Sequence, residues 1–279
     1  MRFILLITAL CLTTACSHSR RSRDLTEQNV FTSAIEGPAF DAAGNLYVVN
    51  FQQLGTIGKV DIKTGRVELW LRLPTPSIGN SIRFNNKGEM FVADYVGHNV
   101  LKIDPRTKKI SVFVHDKRFN QPNDMALTHD GYIFLSDPDF KNGTGKLWRV
   151  SPSGKAMVLE NKMGTTNGIE VCPDGKTLYL NESNLRNIWR YEIAANRSLK
   201  NKTLFATFDK GDLDGMKCDE AGNLYVTRYG VGIVAKLNSL GRVIEEIKTI
   251  GTSPSNIVLS HKNAYVTLQD RGCIETFGL

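Results

Sequence analysis

The sequence predicts an all-β fold, a six-bladed β-propeller whose last blade is closed by an N-terminal strand. Three features predict it. One pattern recurs six times, at offsets of 44, 43, 44, 47 and 41 residues. Each copy holds short runs in which apolar and polar residues alternate with period two, as in strands with one buried face. No long stretch carries the 3.6-residue period of a helix. A repeat of about forty residues with about four short strands is the pattern of a propeller blade.

Taken in order, each copy opens on a residue with a side-chain oxygen: Glu36, Asn80, Asn123, Asn167, Asp214 and, more weakly, Ser255. A small or polar residue follows, then an apolar one, any residue, and another apolar one. This makes 36–40, 80–84, 123–127, 167–171, 214–218 and 255–259 the first strands. Eight residues after the oxygen-bearing position, five copies carry a turn glycine: Gly44, Gly88, Gly131, Gly175 and Gly222. Second strands follow at 46–49, 90–93, 133–136, 178–180, 224–227 and 264–267. Copy one continues with 57–62 and 67–71 around the turn at 63–65. Copy six ends after 274–277 without a fourth strand, and the segment 29–32 ahead of copy one is expected to supply it. That pairing removes the open sheet edges of the ring.

The front of the chain reads as an address. Met1 and Arg2 precede an apolar run from Phe3 to Leu12, too short to span a bilayer permanently. Ala15 and Cys16 then complete a pattern similar to a bacterial lipoprotein lipobox, with Thr13 in place of the usual leucine. The expectation is a signal peptide at 1–15, lipid on Cys16, a polar tether at 16–28 and one propeller domain at 29–279. The alternative is an ordinary secretory leader and a soluble periplasmic or secreted protein. Ser17 after the cysteine points to outer-membrane retention facing the periplasm. The formal charge of +7 is inflated by Arg2, Arg20, Arg21 and Arg23. The remainder is scattered, which argues against nucleic acid as a partner. A monomer is expected. Cys218 stands in the slot that Phe40, Phe84, Leu127, Val171 and Leu259 fill elsewhere and is read as a small buried hydrophobe, while Cys172 and Cys273 show no metal or redox spacing.

The chemistry lies in the six leading positions. In a propeller the first strand of each blade lines the central channel, so equivalent residues gather at one height around the axis. Asn and Asp also precede strands simply because they form turns, and Asn167-Gly168 and Asp214-Gly215 are common turn dipeptides. Five oxygen-bearing residues at one offset, two of them acidic, instead suggest a cation cage. All-oxygen ligation suits Ca2+, which takes 6–8 oxygens, with Mg2+ or Mn2+ as substitutes. His98, His115, His129 and His261 form no spaced pair. Asp137 is expected at the rim or as a turn cap before Pro138, and Trp70, Trp148 and Trp189 between blades.

Glu36-Gly37-Pro38, Gln121-Pro122-Asn123-Asp124, Thr166-Asn167-Gly168-Ile169 and Leu213-Asp214-Gly215-Met216, in this order, resemble the SMP-30/gluconolactonase group of calcium-dependent six-bladed propeller hydrolases. The resemblance covers residues 31–279. It implies that Glu36, Asn167 and Asp214 bind Ca2+, that Asn123 binds either the cation or the substrate, and that Asp214 is the catalytic base or nucleophile. Asn123, Gln121 and Asn80 are the residues expected to meet a small-molecule lactone or ester, with Asn123 counted also among the cation ligands. Two departures matter: Gln121 stands where vertebrate members have a sugar-binding arginine, and Lys141 where they have a glutamate. Gluconolactone itself is therefore not implied. The expected function is calcium-dependent hydrolysis of lactones or related esters. The alternatives are a non-catalytic ligand-binding propeller with a structural calcium and a relative of the strictosidine-synthase-like group.

Overall fold

A computed structural model describes residues 20–260 and 262–279, and every regular element among them is a strand. The expected signal peptide at 1–15, Cys16 and His261 lie outside the described residues. After β1 (Arg23–Asp24), blade 1 comprises β2 (Phe31–Phe40), β3 (Leu46–Phe51), β4 (Thr56–Val60) and β5 (Val67–Arg72). Blade 2 is β6 (Gly79–Phe84), β7 (Met90–Asp94), β8 (Asn99–Ile103) and β9 (Ile110–His115). Blade 3 is β10 (Met125–Leu127), β11 (Ile133–Asp139), β12 (Thr144–Val150) and β13 (Ala156–Met163). Blade 4 is β14 (Thr166–Val171), β15 (Thr177–Glu182), β16 (Asn187–Ile193) and β17 (Leu199–Thr207). Blade 5 is β18 (Asp212–Cys218), β19 (Leu224–Tyr229), β20 (Ile233–Leu237) and β21 (Val243–Lys248). Blade 6 has β22 (Pro254–Leu259), β23 (Asn263–Leu268) and β24 (Cys273–Gly278), with β1 added outside β24.

Each sheet is an antiparallel four-stranded meander, and the sheets share no ladder. The ring is closed by side chains: β2, β6, β10, β14, β18 and β22 each touch the innermost strand of both neighbouring blades. The core is therefore packed between blades. Val49 and Ile57 of blade 1 cluster with Ile82, Val92 and Leu101 of blade 2. Trp148 of blade 3 is fully buried against Phe91 and Val100 of blade 2. Burial of one such side chain contributes roughly 1.5–3 kcal/mol, which is why each blade needs its neighbours.

The clasp differs from the sequence expectation. The fourth strand of blade 6 is Arg23–Asp24, paired in register with Thr276 and Glu275, and not the segment 29–32. Phe31 and Thr32 instead begin β2, while the Asn29 and Phe31 amides donate to the Arg271 and Gly272 carbonyls at 2.9 Å. The clasp is held by polar groups. Arg271 bonds both carboxylate oxygens of Asp24 and also Glu275, and the Ile274 amide donates to Thr26 Oγ1 at 3.0 Å. Residues 20–28, expected to belong to a free tether, are seated on the propeller. Arg21 forms a bridge with Lys248, and the Arg20 guanidinium donates to the Gly278 carbonyl.

A second correction concerns cysteine. Cys218 is buried in the expected slot but is bonded to Cys172, with their Cα atoms 5.3 Å apart. The slot of blade 5 faces the residue that follows β14 of blade 4, so two blades contribute one sulfur each. Cys273 remains a free, buried thiol, pushed up to about 12 chiefly by burial.

Candidate functional site

The leading residue of nearly every repeat sits where the ladder slips. Register shifts occur between Glu36 and Ala39, Gly79 and Ser81, Thr166 and Ile169, Leu213 and Met216, and Pro254 and Asn256. One extra residue enters the innermost strand there, and such a bulge turns a side chain out of the regular alternation. Five blades thus re-aim the same position. In blade 3, β10 starts just after it, and Asn123 is fixed instead by donating its amide to the Ser136 carbonyl at 2.9 Å.

Glycines after the bulge let the blades close in. A Cβ on Gly168 would lie 2.1 Å from the Asp214 carbonyl oxygen, and one on Gly215 2.3 Å from Asn256 Oδ1. The Asn-Gly and Asp-Gly pairs are therefore required by the approach of the next blade as well as by the local chain.

This brings Glu36, Asn167 and Asp214 together. Glu36 Oε2 accepts from its neighbour's amide, Gly37 N, at 3.0 Å and from Asn256 Nδ2 at 2.9 Å. The Asp214 carboxylate lies beside the Asn167 side chain, which favours its charged form, and feels the charges of Glu36 and Asp124. Asn181 Nδ2 donates to the Asp214 main-chain oxygen at 2.6 Å, which fixes the backbone beneath the carboxylate. Asn123 is buried, and its Oδ1 has no hydrogen-bond partner. Asn80 donates its amide to the Asn123 carbonyl at 3.4 Å, so it stands beside Asn123. Ser255 is fully buried near Glu36, and its hydroxyl donates to the Ile35 carbonyl at 3.0 Å. Gln121 is half-buried at the rim. Its loop is held by Asp137, whose carboxylate accepts from the Asn120 and Gln121 amides at 2.8 and 2.6 Å and from the Trp148 indole at 2.9 Å.

The electrostatics are those of crowded carboxylates. Burial, and then the charge of Asp124, push Glu36 up to about 7 against the hydrogen bonds from Asn256 and Gly37. Asp214 is raised well above the usual carboxylate range, first by burial and then by Glu36 and Asp124. Protein surrounds Asp214 closely, yet by accessible surface it is only half-buried, and accessible surface decides whether a small molecule can touch it. Unpaired buried carboxylates repel one another and are costly without a cation. Asn123 Oδ1 adds an acceptor with no donor. The donor set is all oxygen, which fits a hard divalent cation.

Asp124, Asn256 and Arg83 also shape the site, although the sequence reading gave them no role. Asp124 is buried, accepts from the Met125 amide at 2.8 Å and is paired with Arg83 Nη2 at 2.7 Å across blades 2 and 3. Asn256 holds Glu36. The available signal was the position after each leading residue: Gly37, Ser81, Asp124, Gly168, Gly215 and Asn256. His115 and His129 are exposed and hydrogen-bonded to Asn99 and Asn86, and His98 is exposed in a turn.

Two other features are set apart from the ring. A cavity of about 1310 Å3 opens at the far ends of the innermost strands, lined by Leu127, Val171, Cys218 and Leu259. Glu36, Asn123, Asn167 and Asp214 do not line it, and among its own carboxylates Glu170 is paired with Lys217 and Asp219 with Lys236. Asp24, Cys273 and Glu275 also lie close together. The Arg271 guanidinium already supplies their positive charge, which makes that cluster part of the clasp.

The sequence profile of the SMP-30/gluconolactonase/LRE-like region matches residues 34–269, nearly the whole propeller. A gluconolactonase of Zymomonas mobilis is 31% identical over 176 residues, covering 54% of this chain and 49% of that protein. The chain thus spans about half the length of that relative. A diisopropyl-fluorophosphatase of Loligo vulgaris is 24% identical over 225 residues, covering 70% of this chain and 72% of that one. The solved structure of a calcium-binding protein, regucalcin, from Agrobacterium tumefaciens superposes with a TM-score of 0.81 at 20% identity, over 94% and 95% of the two chains. At that identity the likeness speaks for the fold.

Proposed function

The chain belongs to the SMP-30/gluconolactonase/LRE-like family, and from that premise we propose that it is a calcium-dependent hydrolase of lactones or related esters. One observation carries the reading: carboxylates from blades 1 and 5 face each other beside the Asn167 amide, near the partnerless Oδ1 of Asn123. Glu36, Asn123, Asn167 and Asp214 are the residues that would hold the cation. When bound, it would act as a Lewis acid toward the ester carbonyl and stabilise charge developing on that oxygen.

The protein's own groups supply the rest. Asp214 is the ring carboxylate open to an incoming molecule, and its raised affinity for protons suits a base that takes one from the attacking water. The bond between water oxygen and carbonyl carbon forms, the ring C–O bond breaks, and the proton passes to the departing alkoxide. Asn167, beside Asp214, favours the charged form of that carboxylate. Asn123, Asn80 and Gln121 line the approach. Gln121 is neutral and its loop is pinned by Asp137, so recognition of a charged sugar acid is not expected of it.

The test is a lactone, ester and phosphotriester panel assayed with Ca2+, after chelation, and with Asp214→Ala. Loss of turnover in both treatments, with the fold intact by circular dichroism, is the expected result. Full activity in Asp214→Ala would sink the assignment. Tight Ca2+ binding with no turnover on any substrate would favour a structural cation instead.

The proposal extends to the address. Cys16 would carry lipid after cleavage of residues 1–15, leaving three residues before Arg20 reaches the propeller. An oxidising compartment is compatible with the Cys172–Cys218 disulfide. Metabolic labelling with palmitate should mark the protein, and Cys16→Ser should release it from the membrane fraction.

A further inference from the structure

We propose that the Cys172–Cys218 disulfide is a positioning element for the cation ring, so that cation affinity depends on the redox state of that bond. The inference rests on the cation-ring reading above. Cys172 directly follows β14, which carries Asn167, and Cys218 ends β18, which carries Asp214. The bond therefore joins the two strands whose side chains meet at the ring.

These strands belong to different sheets and share no backbone ladder. Their separation is set only by what crosses the seam. At the ring end, Gly168 admits the Asp214 carbonyl, and Asn181 grips that carbonyl at 2.6 Å. One residue before Cys218, Lys217 Nζ pairs with Glu170 Oε1 at 2.8 Å. At the far end stands the disulfide. The other seams are crossed by non-covalent polar contacts, such as Arg83 with Asp124 between blades 2 and 3 and Asn256 with Glu36 between blades 6 and 1. Among the described residues, the seam between blades 4 and 5 alone is covalent.

A strand rises about 3.3 Å per residue, so the four residues from Asp214 to Cys218 set the bond roughly 13 Å from the ring. At that distance the sulfurs touch no ligand and act through the strands. Without the bond, that end of the seam keeps the Glu170–Lys217 pair and apolar contacts, none of them covalent, and the strands can splay. Asn167 and Asp214 would then lose their fixed spacing. The large cavity is lined by both cysteines, which gives a small reductant access to the bond. Reduction transfers two electrons and two protons from a dithiol such as dithiothreitol, which itself becomes a cyclic disulfide, and leaves two protein thiols.

The experiment measures Ca2+ affinity by titration calorimetry on the purified protein before and after dithiothreitol, and on Cys172→Ala/Cys218→Ala. Alkylation and mass analysis report the state of each cysteine. We expect reduction and the double variant each to weaken Ca2+ binding roughly 10- to 100-fold, as loss of groups that orient metal ligands does, with the far-ultraviolet spectrum kept. Cys273→Ala should leave the affinity as it was. Unchanged Ca2+ affinity in the reduced, folded protein overturns the inference while leaving the cation ring standing. So does finding Cys172 and Cys218 as free thiols in protein recovered from an oxidising compartment. Should the double variant fail to fold, reduction of the wild type decides alone. Absence of Ca2+ binding in the unreduced protein removes the ring itself and this inference with it.

Discussion

Without a cation, the protein should lose stability as the pH rises toward neutrality, opposite to the usual behaviour of a paired carboxylate. The cause is Glu36. Burial and the charge of Asp124 hold its carboxyl at about 7, against 4.5 for an ordinary glutamate. The unfolded chain releases this proton near 4.5 and the folded chain near 7. Between those values the folded state binds more protons, so folding weakens with rising pH. The contribution is fully present below 4.5 and lost above about 7. At about 1.4 kcal/mol per pH unit, the displacement is worth on the order of 3 kcal/mol, and Asp214 shifts in the same direction. A domain of this size gains or loses roughly 2–4 °C in Tm per kcal/mol, so about 5–10 °C is at stake between pH 5 and pH 8. Carboxylates held by surface partners do not interfere, since Asp116, kept at about 2 by Arg118, titrates below this window. Ca2+ competes with the same protons. At a free concentration one hundred times its Kd it restores about 2.7 kcal/mol. Thermal melts followed by circular dichroism, in chelator and in Ca2+, test this beside Glu36→Gln, which cannot ionise. The chelated wild type should melt lower at pH 8 than at pH 5, Ca2+ should abolish the deficit, and Glu36→Gln should flatten it. A chelated protein that melts higher at pH 8, with Glu36→Gln following it, would refute the electrostatic reasoning.

Other perturbations separate the parts of the ring. Gly168→Ala places a methyl 2.1 Å from the Asp214 carbonyl and should cost about 1–3 kcal/mol in urea unfolding, with weaker Ca2+ binding by calorimetry. Arg83→Met leaves Asp124 as an uncompensated buried charge and should cost about 3–5 kcal/mol in the same assay. Arg271→Ala should cost less, about 2 kcal/mol, because Glu275 keeps donors from Ser22, Ile250 and Gly251. Its signature should be faster proteolytic clipping of residues 20–28.

The fold was legible because its information is local. Each strand states its own buried face by alternation, as Leu46 to Val49 and Leu224 to Thr227 do, and each turn is marked by a glycine such as Gly44 or Gly222. The leading residues were legible because the repeat aligns them. What stayed hidden depends on contacts between blades. Asp124 reads as one polar residue in a motif, and only the ring places Arg83 against it. Arg23 and Asp24 are too few and too polar to read as a strand, and their pairing is written in Arg271, Glu275 and Thr276 far along the chain. The disulfide left a faint trace. Its sequence separation of 46 residues lies close to the repeat offset between blades 4 and 5, as expected for neighbours in adjacent copies. The substrate is written in rim loops, such as the one Asp137 secures, whose shapes follow no repeat.

The clasp has a consequence for how the molecule comes into being. Synthesis delivers Ser22 long before its partner Glu275, 253 positions apart. Until β24 has been made, the growing polypeptide can only be an open arc of blades with a raw flank at either side. Bringing such distant ends together is entropically slow. Closure therefore waits for the early segment at 20–28 to dock onto the late strand β24, and a chain cut short before β24 would yield an arc that never becomes a circle.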